Sequence, residues 1–139
     1  GTFDALMGIT PPAGTMARPA VSGTNPTLQG AATLGSNNTL RGLTLTGSPA
    51  LSGSSFGTLT LGSGANADVV VDTSGAGISL TTGTVAGDFL TTSSDGGTNN
   101  ILLSGVSSSG TSLGGGILQG ASGDGLKTVS PLTVPSISA

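Results

Sequence analysis

Residues 34–47 read LGSNNTLRGLTLTG, and this stretch decides the fold. It contains a short apolar triplet, Leu43-Thr44-Leu45, with Asn, Ser and Gly on either side as turn formers. Similar triplets follow at irregular intervals, at Leu59-Thr60-Leu61, Ile78-Ser79-Leu80, Ile101-Leu102-Leu103 and Ile117-Leu118-Gln119. Each triplet is long enough for a short strand and too short for a helix.

An irregular repeat of short strands and Gly-rich turns predicts an all-β, single-stranded β-solenoid of about six short coils. One coil cannot bury its aliphatic side chains alone, but stacked coils enclose a narrow continuous core. We therefore expect the triplets to supply the core strands, through Leu43, Leu45, Leu59, Leu61, Ile78, Leu80, Ile101, Leu103 and Ile117. A β-sandwich is the competing architecture, and its strands would be longer with cleaner alternation.

Two Asn pairs, far apart in the chain, precede similar short apolar stretches. Asn37-Asn38 precedes Thr39-Leu40, and Asn99-Asn100 precedes Ile101-Leu102 much further along the chain. Asn tolerates left-handed backbone at tight bends and can stack on an Asn of the next coil. We predict that these four residues lie at turns and contribute to a ladder, although chance placement in loops would give the same pattern.

The prolines divide the chain into three segments. Residues 1–30 hold four of the seven prolines, which remove donors and block strand addition. We predict a Pro/Gly-rich cap or linker over 1–30, the solenoid over 31–130, and a tail or junction over 131–139.

The composition excludes several functions. The chain has no Cys or His, which rules out zinc sites, disulfides and His-dependent triads. Three basic residues cannot form a phosphate-binding surface, so we expect no nucleic-acid partner. No apolar run is long enough for a membrane helix, so we expect no membrane insertion.

The quoted stretch resembles a coil of the right-handed parallel β-helices in the pectin-lyase-like superfamily. The stretches at 83–89, 96–106 and 113–123 (GTVAGDF, GGTNNILLSGV and LGGGILQGASG) are similar to repeats of large secreted bacterial surface proteins and autotransporter-type passengers. The resemblance spans roughly residues 30–126 and implies export to the bacterial cell surface, with a role in adhesion or fibre building.

Enzymes of that superfamily cleave acidic polysaccharides with clustered carboxylates. The carboxylates here with the most suitable spacing are Asp68 and Asp72, which flank Val69-Val70-Val71. We expect no catalytic residue, no cofactor and no metal site; calcium at Asp68 and Asp72 is the alternative to solvated surface carboxylates.

Three functions follow in order of preference. We expect a non-catalytic structural subunit or segment of an extracellular bacterial fibre or layer, whose partner is another copy of itself. An adhesin segment that binds host or environmental glycans comes second, although the three Phe are the only aromatic residues available for stacking on sugars. A polysaccharide-cleaving β-helix enzyme is a distant third.

Overall fold

The computed structural model describes residues 3–16, 22–64, 66–108 and 110–129. Regular structure in these ranges is one five-residue helix, α1 (Phe3–Met7), and strands. The strands are β1 (Thr27–Leu28), β2 (Ala32–Thr33), β3 (Thr39–Leu40), β4 (Leu43–Leu45), β5 (Leu51–Leu61), β6 (Val69–Thr73), β7 (Ile78–Ala86), β8 (Thr91–Asp95), β9 (Ile101–Ser108), β10 (Leu118–Gln119) and β11 (Leu126–Val129). The predicted all-β class is confirmed.

The strands form a parallel β-solenoid of about four turns. One sheet stacks β1, β4, β6, β8 and β10, and the other stacks β2, β5, β7, β9 and β11, with β3 also paired to β5. Every strand pairing is parallel. Parallel pairing excludes the β-sandwich, which is built from antiparallel sheets.

Bends in the long strands give each turn three faces. β5, β7 and β9 bend at residues with positive φ, namely Ser55 and Gly57, Thr82, and Gly105. Face 1 is the sheet that contains β4. Face 2 is formed by β2, the first halves of the bent strands and β11, and face 3 by β3 and the second halves.

The core is built from columns, which are residues at one register position in successive turns. Alternate residues along each strand point inward, because side chains of a strand alternate between its two sides. The central column of face 2 contains Leu51, Ile78 and Ile101, each almost fully buried. At roughly 1.5–3 kcal/mol per buried aliphatic side chain, such columns are the main source of stability.

The coil count differs from the prediction of about six. One full turn of face 2 leads from Leu51 to Ile78, and the next from Ile78 to Ile101. Two of the triplets lie on different faces: Leu43–Leu45 is β4 of face 1, and residues 59–61 belong to the second half of β5, on face 3. They are therefore not equivalent positions of successive coils. Counting each triplet as one coil therefore overestimates the number of turns.

Most of the predicted core positions are buried. Leu45, Leu59, Leu61, Ile78, Leu80, Ile101 and Leu103 are buried, and Leu43 is half-buried against the core. The placement of Ile117 in the core is wrong, since its side chain is 64% exposed. The pairing of Leu118 with Ser94 puts Ile117 beside Ser93, on the outward side of face 1.

The N-terminal region is partly regular. β1 lies within residues 1–30, so the first strand of the solenoid begins inside the segment predicted as a cap. α1 forms where Ala, Leu and Met follow Asp4, a favourable composition for a first helical turn. The predicted tail, 131–139, lies outside the described residues.

Candidate functional site

The outward surface of face 2 carries columns of hydroxyl groups. Thr33, Ser52 and Ser79 form one column, and Ser54, Thr81 and Ser104 form the next. Successive members are separated by about 4.8 Å, the distance between neighbouring strands. The Thr33 and Ser52 hydroxyl oxygens lie 3.2 Å apart and share a hydrogen bond. This face is therefore flat, polar and uncharged over its first three turns.

Face 1 carries an open groove of about 390 Å³ between two outward columns. Its polar lining includes Asp72, Ser93, Asp95 and Gln119. The Gln119 amide donates a hydrogen bond of 3.0 Å to an Asp95 carboxylate oxygen, one turn away. The groove thus offers hydroxyl, amide and carboxylate groups to a polar ligand.

The two predicted calcium candidates have different surroundings. Asp68 is half-buried, and its Oδ1 accepts a hydrogen bond of 2.6 Å from the Gly64 N–H. Asp72 is exposed on the groove of face 1, about 13 Å of extended chain further on. A calcium ion needs oxygen ligands within about 2.3–2.6 Å, and the structure does not bring these two carboxylates together around one point.

The first Asn pair lies at the bend between faces 2 and 3. Asn37 has a positive φ of 57°, and its Oδ1 accepts a hydrogen bond of 3.0 Å from the Thr58 N–H one turn away. Asn38 follows it and its carbonyl accepts from the Thr60 N–H. Asn37 therefore closes a turn and links two turns of the solenoid.

The second Asn pair lies at a different corner, immediately before face 2. The Asn99 Oδ1 accepts from the Asp124 N–H at 3.2 Å. Asn100 is fully buried, and its amide donates to the carbonyls of Ser94, Gly96 and Gln119 and to the Ser94 hydroxyl, at 2.9–3.2 Å. The two pairs do not stack on each other, because they occupy different corners.

The two ends of the solenoid are edges whose strands lack a neighbour on one side within the described chain. β1 and β2 at the N-terminal end, and β10 and β11 at the C-terminal end, each have a strand neighbour on one side only within the described ranges. The inward residues Leu28, Leu118 and Leu126 are 48%, 37% and 38% exposed there. Both ends combine backbone groups available for pairing with exposed aliphatic side chains.

Charged groups are sparse on this surface. Within the described residues, no three side chains of the Asp, Glu, His or Cys type gather as metal ligands. Two of the three basic residues, Arg41 and Lys127, fall in these ranges, and the Arg41 guanidinium lies beside Gly8, just after α1. No helix in the described part of the chain has the length and apolar character needed to cross a membrane.

The sequence reasoning missed the features that best define this surface. The hydroxyl columns of face 2 include Ser52 and Ser54, which lie in a Ser/Gly-rich segment without an apolar triplet of its own. A signal was present in the alternation of Leu51-Ser52-Gly53-Ser54, which places both Ser on one side of a strand. The burial of Asn100 could not be predicted from the sequence, because its neighbour Asn99 is the same type of residue and is partly exposed.

No protein-family model matches this chain, and none of the curated proteins or solved structures compared with it is detectably similar. The fold and the described surface therefore carry the functional argument.

Proposed function

We propose that this chain is a non-catalytic structural element of an extracellular bacterial fibre or surface layer, which associates with further copies of itself. The observation that carries the proposal is the state of the two ends. Each presents strands that are paired on one side only, together with exposed inward leucines. Such edges are templates for strand addition unless they are covered.

The charge distribution supports self-association. Only 6% of the residues are charged and the net charge is −3, so repulsion between copies is small. Proteins that keep strand edges apart commonly place Lys at them, and the described end strands carry a single one, Lys127. The end strands therefore contain little that would oppose a second copy.

The proposed location rests on the resemblance of the coil phrases to surface-protein repeats. We place the chain among pectin-lyase-like β-helices of secreted, autotransporter-type surface proteins, outside the cell and without membrane insertion, nucleic acid or a cofactor. The absence of Cys suits such exported repeats. Immunogold labelling of intact source cells would give surface label if this is right, and label only in permeabilised cells would contradict it.

Sedimentation velocity of the purified chain, with electron microscopy of the same samples, tests self-association. We expect the mean mass to rise steadily with concentration above that of the 13.0 kDa monomer, with ordered polymer visible on grids. A well-folded monomer at all concentrations would contradict the proposal.

An enzyme assay tests the non-catalytic part of the proposal. We expect the chain to release no reducing ends from acidic polysaccharides.

A glycan-binding adhesin segment is the second candidate, and the groove of face 1 is the observation that favours it. Asp72, Asp95 and Gln119 could accept and donate hydrogen bonds to sugar hydroxyls. On a glycan array, Asp72→Asn with Asp95→Asn should weaken any binding about tenfold or more, while Asp124→Asn, an exposed carboxylate outside the groove, should not. Equal binding by both variants would exclude the groove.

A further inference from the structure

We propose that copies of this chain stack head to tail, with the N-terminal end of one solenoid on the C-terminal end of the next, in the register that continues the inward columns. This inference rests on the proposed function and specifies its interface. Every pairing inside the solenoid is parallel, and only a head-to-tail stack keeps that strand direction across the junction.

Four inward columns reach both ends of the solenoid. At the N-terminal end the columns present Leu28, Gly30, Ala32 and Leu34, which stand over Leu45, Gly47, Leu51 and Gly53 of the next turn. At the C-terminal end the same columns present Gly116, Leu118, Leu126 and Thr128, which stand over Thr92, Ser94, Ile101 and Leu103.

The sizes of the two sets are complementary. Continuing each column across the junction places Leu28 on Gly116, Gly30 on Leu118, Ala32 on Leu126 and Leu34 on Thr128. In three of these four contacts a leucine meets Gly or Ala. No contact therefore pairs two small residues, which would leave a void and cost stability in a packed core.

Pairing a large residue with a glycine already occurs inside the solenoid. A Cβ on Gly53 would lie 3.1 Å from Leu34 atoms of the neighbouring turn, and a Cβ on Gly83 would lie 2.6–2.7 Å from the ring of Phe56. The proposed junction repeats this packing. A same-end contact with the columns in reverse order would place Gly30 against Ala32, two small residues that leave a void.

The backbone can pair across the junction as well. Ala32 and Leu34 donate their N–H groups to the carbonyls of Ala50, just before β5, and of Ser52 in β5, so the N–H of Thr33 points to the open edge. At the other end, the Gly125 carbonyl accepts from the Ile101 N–H, so Gly125 and Lys127 face β9 and Thr128 faces away. The N–H groups of Thr33 and Thr128 thus point away from the chain's own strands and can pair with a strand of a second copy.

Proline at these two positions blocks one end at a time. Thr33→Pro removes an outward donor of the N-terminal end, and Thr128→Pro one of the C-terminal end, without removing a backbone bond within the chain. Thr33→Ser and Thr128→Ser keep the N–H and are the matched controls. Circular dichroism and thermal unfolding check that each variant retains the fold of the parent chain.

Mass measurements on the variants and their mixture test the polarity. We expect each Pro variant alone to remain monomeric where the parent and Ser variants polymerise. A 1:1 mixture should give a species of twice the 13.0 kDa monomer mass that grows no further, because one open end of each variant can meet the other. Dimers formed by one Pro variant alone, or polymers formed by the mixture of the two, would overturn head-to-tail stacking while leaving self-association intact. A monomeric parent chain would instead refute the proposed function itself.

A size exchange tests the register. Gly30→Leu should raise the concentration needed for assembly about tenfold or more, because its column holds nothing larger than Thr inside the solenoid, at Gly47, Thr73 and Ser94, and Leu118 already fills it at the junction. Adding Leu118→Ala to the same chain should restore assembly, since the total volume at that column is recovered. Assembly by the double variant no better than by Gly30→Leu alone would overturn the proposed register.

Discussion

Asn100 shows how much a single buried polar side chain determines in this chain. Its two amide hydrogens are shared among four oxygen acceptors at 2.9–3.2 Å, which belong to the face 1 strands β8 and β10 and to Gly96 in the corner that follows β8. The side chain is fully buried, so water cannot replace these bonds. This amide therefore stabilises the corner before face 2, together with the bond from the Asp124 N–H to the Asn99 Oδ1.

Replacing Asn100 should therefore be costly. We expect Asn100→Ala to lower the free energy of unfolding by about 1–3 kcal/mol, because buried carbonyls lose their donor. Asn100→Asp should cost more, since it directs a carboxylate at carbonyl oxygens. Asn99→Ala, which loses one partly exposed bond, is the control and should cost about 1 kcal/mol or less. Urea unfolding measures all three, and equal costs at 99 and 100 would contradict this account.

A second residue-level prediction concerns Gly83 and the ring of Phe56. Gly83→Ala puts a methyl group within 2.6–2.7 Å of ring atoms in a buried contact, and should cost about 1–3 kcal/mol. In the double variant with Phe56→Leu the cost should be clearly less than additive, because the smaller side chain makes room. Gly115→Ala, with nothing within 4 Å, is the neutral control. Strict additivity of the two changes would show that the contact is absent.

At the level of elements, the apolar triplets predicted where strands would form better than how they would be arranged. Ile78 and Ile101 each begin a strand, as expected from the triplets. The eleven-residue strand β5 was not predicted, because Ser and Gly dominate its first half. Its backbone is paired with a turn above and a turn below, and this tertiary pairing overrides weak intrinsic strand propensity.

The coil length could not be obtained from the spacing of triplets, for a physical reason. Each turn places strands on three faces, and the corners between them differ in length. The register offset from Ala32 to Leu51 is therefore shorter than the offset from Leu51 to Ile78. For the same reason the sequence did not reveal that Ile117 lies outward or that Leu118 occupies the inward position.

Hydrogen exchange should separate the central strands from the end strands. In dilute monomer, amides of β5, β7 and β9 should exchange slowly, because each strand is paired on both sides. Amides of β1 and β10 should exchange quickly, and should slow by about tenfold or more when the chain assembles. Strong protection of β1 and β10 in the monomer would mean that their edges are already covered.

The whole molecule is held by apolar columns and backbone pairing, with almost no charge. The three basic and six acidic residues are too few for electrostatic attraction to drive association. We therefore expect the critical concentration for assembly to change less than about twofold between roughly 0.05 and 1 M NaCl, and sulfate to lower it by strengthening apolar burial. A steep dependence on NaCl would point to an interface made of ion pairs.

Cryo-electron microscopy of the assembled chain tests the central claim most directly. Faces 1 and 2 each stack five strands, so head-to-tail copies should produce filaments with a strand spacing of about 4.8 Å along the axis and a subunit rise of about 24 Å. Filaments with that rise, in which faces 1 and 2 run unbroken through the junctions, are the predicted result. Only dispersed single particles, or filaments whose strands run across the contact in opposite directions, would contradict the account.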